Sequence, residues 1–277
     1  MENISLLPTE AINPATENLS RLSAREALLL INDEDHKVAP AVRLVIDEIA
    51  QVVDAVAERL GERNGRLFYI GAGTSGRLGV VDASECPPTF GTPPELVQGI
   101  IAGGPQAVFR SIEGAEDLTE EGVRELRERN LSPDDVVIGI AASGRTPFVI
   151  GALQFAREIG AFTAGVTVNP QAAMKEWCDV FIAPFVGPEA LTGSTRMKAG
   201  TAQKLVLNMI STGVMLKLGR VEGNIMSDVR PWCDKLVDRA QRNVMSLAKV
   251  DAQTAQHALE ATSSDVRAAV EWCRNQR

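Results

Sequence analysis

The chain has 277 residues, 45% of them apolar and 23% charged, with 28 basic against 36 acidic side chains for a net charge of −8. At roughly 150 residues per domain this gives about two domains, or one large domain with additions, and the composition excludes wholesale disorder. The acidic balance excludes a nucleic-acid partner held on a broad basic face, yet a few local donors can still hold a small anion.

The opening residues, MENISLLPTE, have neither a basic n-region nor an apolar h-region, so no signal peptide is expected and a cytoplasmic setting is. A stretch with Pro8, Asn13 and Pro14 follows. Ser23-Ala-Arg-Glu26 then reads as a capping box that opens a helix. Val42, Val45, Ile46, Ile49, Val52, Val53 and Val56 recur at helical spacing, a stripe that must pack in a core or on another subunit. Residues 1–54 are expected to form an N-terminal helical arm.

From residue 66 the pattern is strand, turn, helix, repeated. Apolar runs at Arg66–Ile70, Val97–Ala102, Val136–Ile140, Phe162–Val168 and Val180–Phe185 predict five strands, with helices between them at Glu116–Arg129 and Thr146–Ile159. Runs apolar on both faces, alternating with helices, specify an α/β fold with a doubly wound parallel five-stranded sheet, assigned to residues 55–219. Its ligands belong at the carboxyl ends of the strands. The longest apolar stretch, Leu205–Leu218, is broken by Asn208 and Lys217 and reads as a buried helix, not a membrane span. Residues 220–277 are expected to form a small C-terminal helical appendage, with Asp251–Thr262 and Ser264–Arg274 as helices and Ser264 as the cap of the second.

Cys86, Cys178, Cys233 and Cys273 are scattered with no CxxC pair, which fits a reducing compartment and no zinc framework. His36 and His257 are isolated, so no metal site is expected. Proton transfer then falls to carboxylates, lysines or the lone Tyr69.

Three segments carry chemistry. Gly71-Ala-Gly73-Thr74-Ser75-Gly76 matches GxGxxG between strand and helix, but Gly103-Gly104 stands where a dinucleotide site wants an acid. Its hydroxyls and glycines suit a phosphate, or simply a tight turn. Ser143-Gly144-Arg145-Thr146-Pro147 offers a second cradle at a helix start, with ordinary capping as the plain alternative. In the third, Ser194, Thr195, Arg196 and Lys198 precede the long buried helix; an anion there would meet the dipole and a cation, unless the cations bind the protein's own carboxylates. Two hydroxyl-bearing loops on neighbouring strands point to a phosphorylated sugar.

The strings GAGTSGRLGVVDASECPPTFG, IEGAED, AASGRTPFV and GPEALTGSTRMKAGTAQKLVLN resemble those of the N-acetylmuramic acid 6-phosphate etherases, from about Leu6 to Asp228. These enzymes have the sugar isomerase (SIS) phosphosugar-binding fold, which is flavodoxin-like, and the glucokinase regulatory protein is a relative. Ile225 and Ser227 depart mildly from the pattern, and the sequence ends at Arg277, short of the length the resemblance implies.

The resemblance implies a homodimeric, cofactor-free lyase that splits the D-lactyl ether of a phosphorylated muramyl sugar by elimination and rehydration. It implies substrate contacts from Gly73, Thr74, Ser75, Arg77, Ser143, Gly144, Arg145, Thr146, Ser194, Thr195, Arg196 and Lys198, and two catalytic acids, Glu85 and Glu116. Glu85, beside Cys86-Pro-Pro in a less polar setting, is expected to protonate the departing lactate oxygen, and Glu116 to act as base at C2 and then on water. Spacing alone does not single out Glu116 among Glu113, Asp117, Glu120 and Glu121, any of which suits a helix N-terminus. The alternatives are a phosphosugar-sensing regulatory protein without chemistry, and an aldose–ketose isomerase that would release no lactate.

Overall fold

The computed structural model describes residues 8–229 and 234–276, so the expectations that touch Leu6 and Cys233 lie outside the described residues. Ser23 caps α1 (Ala24–Asp35) as its sequence requires, the Glu26 carboxylate accepting in return from the Ser23 N–H at 2.9 Å. The apolar run beyond is cut into α2 (Val38–Arg43) and α3 (Ile46–Glu62). Leu44 and Val45 donate to the carbonyls of Ala41 and Val42; this tightened turn leaves Leu44 exposed but brings Ile49, Val52, Val53 and Val56 onto one buried face. That face packs inside the chain, against the helix Lys198–Lys217. The boundary expected at residue 54 falls within α3.

All five strands form where the apolar runs predict them. β1 (Leu67–Gly71), β2 (Val97–Ile101), β3 (Val136–Ile140), β4 (Phe162–Val166) and β5 (Val180–Ile182) make one parallel sheet in the order β2-β1-β3-β4-β5. Strand alternation sends Leu67 and Tyr69 to one face and Phe68 and Ile70 to the other, and both faces are covered. α3, α4 (Gly73–Phe90) and the helix Lys198–Lys217 cover the first. α6 (Thr119–Glu128) and α7 (Pro147–Ile159) cover the second, and a short α5 (Gln106–Phe109) follows β2. Fully buried Phe68, Phe148 and Leu153 each contribute about 1.5–3 kcal/mol relative to exposure. α4 lies so close to the sheet that a Cβ on Gly99 would stand 2.5 Å from Val80 Cα. Only glycine fits there.

The helix expected from Glu116 starts later, at Thr119, because Gly114 turns left-handed (φ 72°) and Ala115–Asp117 form a separate 3-10 turn. The helix Lys198–Lys217, now α8, is buried along Val206, Ile210 and Val214. No helix among the described residues is long and apolar enough to cross a membrane.

A small hairpin of β6 (Val221–Glu222) and β7 (Ile225–Met226) leads to α9 (Asp234–Ala248), α10 (Ala252–Ala261) and α11 (Val266–Asn275), which share a core of their own around Val244, Ala255 and Val270. Asp265, not Ser264, caps α11. Ser264 sits at φ 65° with its N–H on the Leu259 carbonyl, closing the end of α10, so Asp265 is the residue whose carboxylate reaches the Ala268 N–H. Arg267 ties this bundle back to Asp228 and to the Gly219 carbonyl.

Candidate functional site

The chain reverses its direction of winding between β1 and β3: α4 leaves toward one face and α7 toward the other. Sheets of this kind bind ligands at the carboxyl ends of the strands where the winding reverses, here β1 and β3. Gly71 and Ile140 are paired at that edge, so the two hydroxyl-bearing loops predicted from sequence start side by side.

The β3–α7 loop turns its carbonyls inward. Its carbonyls are taken: Ala142 accepts from the Thr167 hydroxyl at 2.8 Å, Ser143 from the Asn169 amide at 3.1 Å and Gly144 from the Met174 N–H at 3.0 Å. With the acceptors drawn back, the N–H groups and hydroxyls of Ser143 and Thr146 have no partner among the described residues. Gly144 has φ 68°, and a Cβ there would meet Ala172 at 2.2 Å. Arg145 stands half-buried between them.

The other two segments meet each other. The first turn of α8 abuts the β1–α4 turn, with Gly200 against Thr74, and the Ser75 hydroxyl donates to Gln203 Oε1 at 2.9 Å. Ser75 is thereby buried and engaged. Thr74, Ser194 and Thr195 are half-buried, and Arg196 is exposed without an ion pair among the described residues. Lys198 is different. It is 1% exposed, and its ammonium donates to Glu34 at 2.6 Å and to the Val186 carbonyl at 2.8 Å. The first N–H groups of α8 are filled as well: Glu189 accepts from Lys198 N and Ala199 N at 2.8 and 2.9 Å. The anion expected at this helix start is the protein's own carboxylate.

Burial pushes the Glu189 carboxyl above its usual range, although the two N–H groups and Lys198 oppose this. For Glu34 burial also pushes upward, but hydrogen bonds from Lys198, Lys37 and Asn13 more than reverse it and hold the group at about 2. Neither Glu34 nor Glu189 stood out in the sequence, because their partners are set by tertiary contact.

A cavity of about 230 Å³ opens beside the β1–α4 turn, lined by Gly73, Arg77, Ser111, Glu113, Glu116 and the backbone around them. Glu116 stands here on its own 3-10 turn, exposed and without a hydrogen bond among the described residues. Glu85 does not. It lies twelve residues beyond Gly73 along α4, which at about 1.5 Å per residue is ~18 Å of helix, toward the opposite end of the sheet. It too is exposed and unpaired among the described residues, so a single chain gives it no apolar setting and does not bring the two acids together.

The remaining candidates for proton transfer withdraw. Tyr69 is fully buried, and burial, followed by the charge of Asp82, pushes its hydroxyl well above the usual value. Burial pushes the Cys86 thiol up to about 12, the charges of Asp82 and Glu85 adding to it, as suits a packing residue. His36 accompanies the end of α1, and His257 packs edge-on against Trp272.

Residues 48–157 match the family described as the glucokinase regulatory protein N-terminal SIS domain. The chain is 54% identical over 268 residues, 97% of its length and 90% of theirs, to proteins of Yersinia pestis and Yersinia pseudotuberculosis named N-acetylmuramic acid 6-phosphate etherase. Among solved structures it is similar to a phosphoheptose isomerase from Francisella tularensis (TM-score 0.56, 14% identity, 70% of this chain and 100% of that one). It is also similar to a phosphoheptose isomerase from Neisseria gonorrhoeae (TM-score 0.51, 15% identity, 69% and 97%). These two carry the fold alone.

Proposed function

This chain belongs to the N-acetylmuramic acid 6-phosphate etherase family, and from that premise we propose how its residues divide the work of a carbon–oxygen lyase acting on N-acetylmuramic acid 6-phosphate. The products are N-acetylglucosamine 6-phosphate and D-lactate. An ether oxygen is a poor leaving group, but in the ring-opened sugar the C1 aldehyde acidifies the proton on C2. Glu116 removes that proton and Glu85 protonates the lactyl oxygen as its bond to C3 breaks; Glu116 is then protonated, so it is the newly ionised Glu85 that takes a proton from the water adding at C3, while Glu116 returns its proton to C2. The phosphate rests on Ser143, Gly144, Arg145 and Thr146, with Gly73, Thr74, Ser194, Thr195 and Arg196 around the sugar. Ser75 and Lys198, both buried and engaged, position these loops instead of touching substrate.

The observation that carries this division is the separation of two exposed glutamates, unpaired among the described residues: Glu116 in the cavity beside the first turn of α4, and Glu85 near the far end of that helix. A working site takes Glu116 from one chain and Glu85 from a second, in a homodimer. Val81 shares the outer face of α4 with Glu85, and Val81, Met209 and Leu216 are exposed apolar side chains on α4 and α8 that such a contact would cover. The reaction belongs to the recycling of cell-wall amino sugar in the cytoplasm.

D-lactate release from N-acetylmuramic acid 6-phosphate tests the proposal. Glu85→Ala and Glu116→Ala each lose on the order of 10²–10⁴-fold in kcat while still binding N-acetylglucosamine 6-phosphate. Mixing the two inactive variants through a dissociation step restores about a quarter of wild-type activity, since half the dimers are mixed and each holds one intact site. Full activity in either variant, or a mixture that stays dead, overturns the assignment.

A further inference from the structure

N-acetylmuramic acid 6-phosphate carries two anions, the phosphate on C6 and the carboxylate of the lactyl group on the C3 oxygen. The β3–α7 loop, with its free hydroxyls and N–H groups, serves the first. We infer that Arg77 grips the second, so that the guanidinium selects the lactyl carboxylate and holds C3 and its neighbour C2 against Glu116; this rests on the etherase reading of the site.

The cavity places Arg77 together with Glu113 and Glu116, and Arg77 is the one cation among its lining residues. A carboxylate entering a space that already holds two acids is repelled unless a cation meets it. Arg77 is aimed for that task by its own anchor. Its Nε donates to the Val108 carbonyl at 2.9 Å, which fixes the plane of the guanidinium. Among the described residues neither Glu113 nor Glu116 forms an ion pair with it. A half-buried guanidinium next to two carboxylates that it does not bind keeps its terminal N–H groups for something else. The planar fork matches a carboxylate in bidentate fashion, as a lysine would not. The same contact explains release: once the lactyl group has left, the product offers nothing to Arg77 and is held by its phosphate end.

The test compares kcat/KM for N-acetylmuramic acid 6-phosphate and for its lactyl methyl ester, in wild type and in Arg77→Met. The wild type prefers the free acid by on the order of 10- to 100-fold, the worth of hydrogen bonds to a charged group. In Arg77→Met that preference collapses to about one, because substrate and protein each lose the same interaction and the two losses do not add. Arg77→Lys, which keeps the charge without the fork, retains part of it. Inhibition by N-acetylglucosamine 6-phosphate, which lacks the lactyl group, stays the same in all three proteins and shows that they are folded. An undiminished acid-over-ester ratio in Arg77→Met overturns the inference. So does a parallel loss of inhibition by the product, which would make Arg77 a phosphate contact or a structural strut. Should Arg77→Met not fold, Arg77→Lys decides by the same ratio, an unchanged value counting against. A wild type that releases no D-lactate from the free acid would instead overturn the etherase reading itself.

Discussion

The start of α7 and the start of α8 look alike in sequence: hydroxyls, glycine and arginine ahead of an apolar helix. In the folded chain they are opposites. At α8 the anion is already present, since Glu189 fills the first N–H groups while Glu34, reaching from α1, neutralises Lys198. At α7 the carbonyls of Ala142, Ser143 and Gly144 are drawn away by Thr167, Asn169 and Met174, and the donors of Ser143 and Thr146 have no partner among the described residues. A helix start rich in Ser, Thr and Arg is thus open to an outside anion only where the protein withholds its own carboxylates. Where it supplies them, the same residues become a clamp that fixes a loop.

If α8 is a clamp, breaking it must cost stability first. Glu34→Gln leaves the Lys198 ammonium buried beside a neutral amide, and loss of one partner of a buried pair costs about 3–5 kcal/mol. Denaturant unfolding should show a lower midpoint with an unchanged slope. Replacing the partner as well, in Glu34→Gln/Lys198→Met, should recover part of the loss, because the uncompensated charge is then gone. A single variant as stable as wild type would mean that Lys198 is free to leave its pocket, and the contrast between the two helix starts would disappear.

The β3–α7 loop should respond the other way round. Thr146 occupies the N-cap of α7 but its side chain makes no capping bond, so Thr146→Val removes no hydrogen bond from the fold, and neither does Ser143→Ala. The double variant is expected to keep the wild-type melting temperature in the absence of ligand. Its affinity for N-acetylglucosamine 6-phosphate, measured by calorimetry, should fall on the order of 10- to 100-fold. Unchanged affinity would leave this loop an ordinary turn.

The difference between the two helix starts also marks how far sequence reaches. Apolar runs flanked by glycine place all five strands, because burial on both faces writes itself into consecutive residues such as Leu67–Ile70. The cradle after β3 is legible for a similar reason: the hydroxyls, Gly144 and Pro147 are neighbours. What cannot be read is any partner set by tertiary packing. Glu34 meets Lys198 across 164 residues, and nothing around Glu34 distinguishes it from Asp33 or Asp35. Tyr69 looks like a proton donor until its strand proves central and its hydroxyl sealed. Glu85 looks half-apolar beside Cys86-Pro-Pro, yet the helix turns Cys86 inward and Glu85 out. In the proposed homodimer its working environment would depend on a second chain, which no single sequence pattern displays.

The smallest effect separates the two helix starts by acid. Glu34 is held at about 2 against an ordinary 4.5, so on acidification the unfolded chain takes up its proton first. The stability that ionised Glu34 contributes is therefore fully present above pH 4.5 and drains away as the pH falls toward 2. Asp135, held below its usual range against burial by Arg66 and the Ser132 N–H, acts in the same direction, and Glu189, shifted upward by burial, acts in the opposite one. Both are present in wild type and in Glu34→Gln, so to first order they cancel in the difference. The gap in unfolding midpoint between these two proteins should thus narrow steadily through that window. Ser143→Ala/Thr146→Val, which touches no carboxylate, should run parallel to wild type throughout. A gap that stays constant under acid would show that Lys37 and Lys198 do not hold the Glu34 charge in the folded chain, and α8 would have to find its clamp elsewhere.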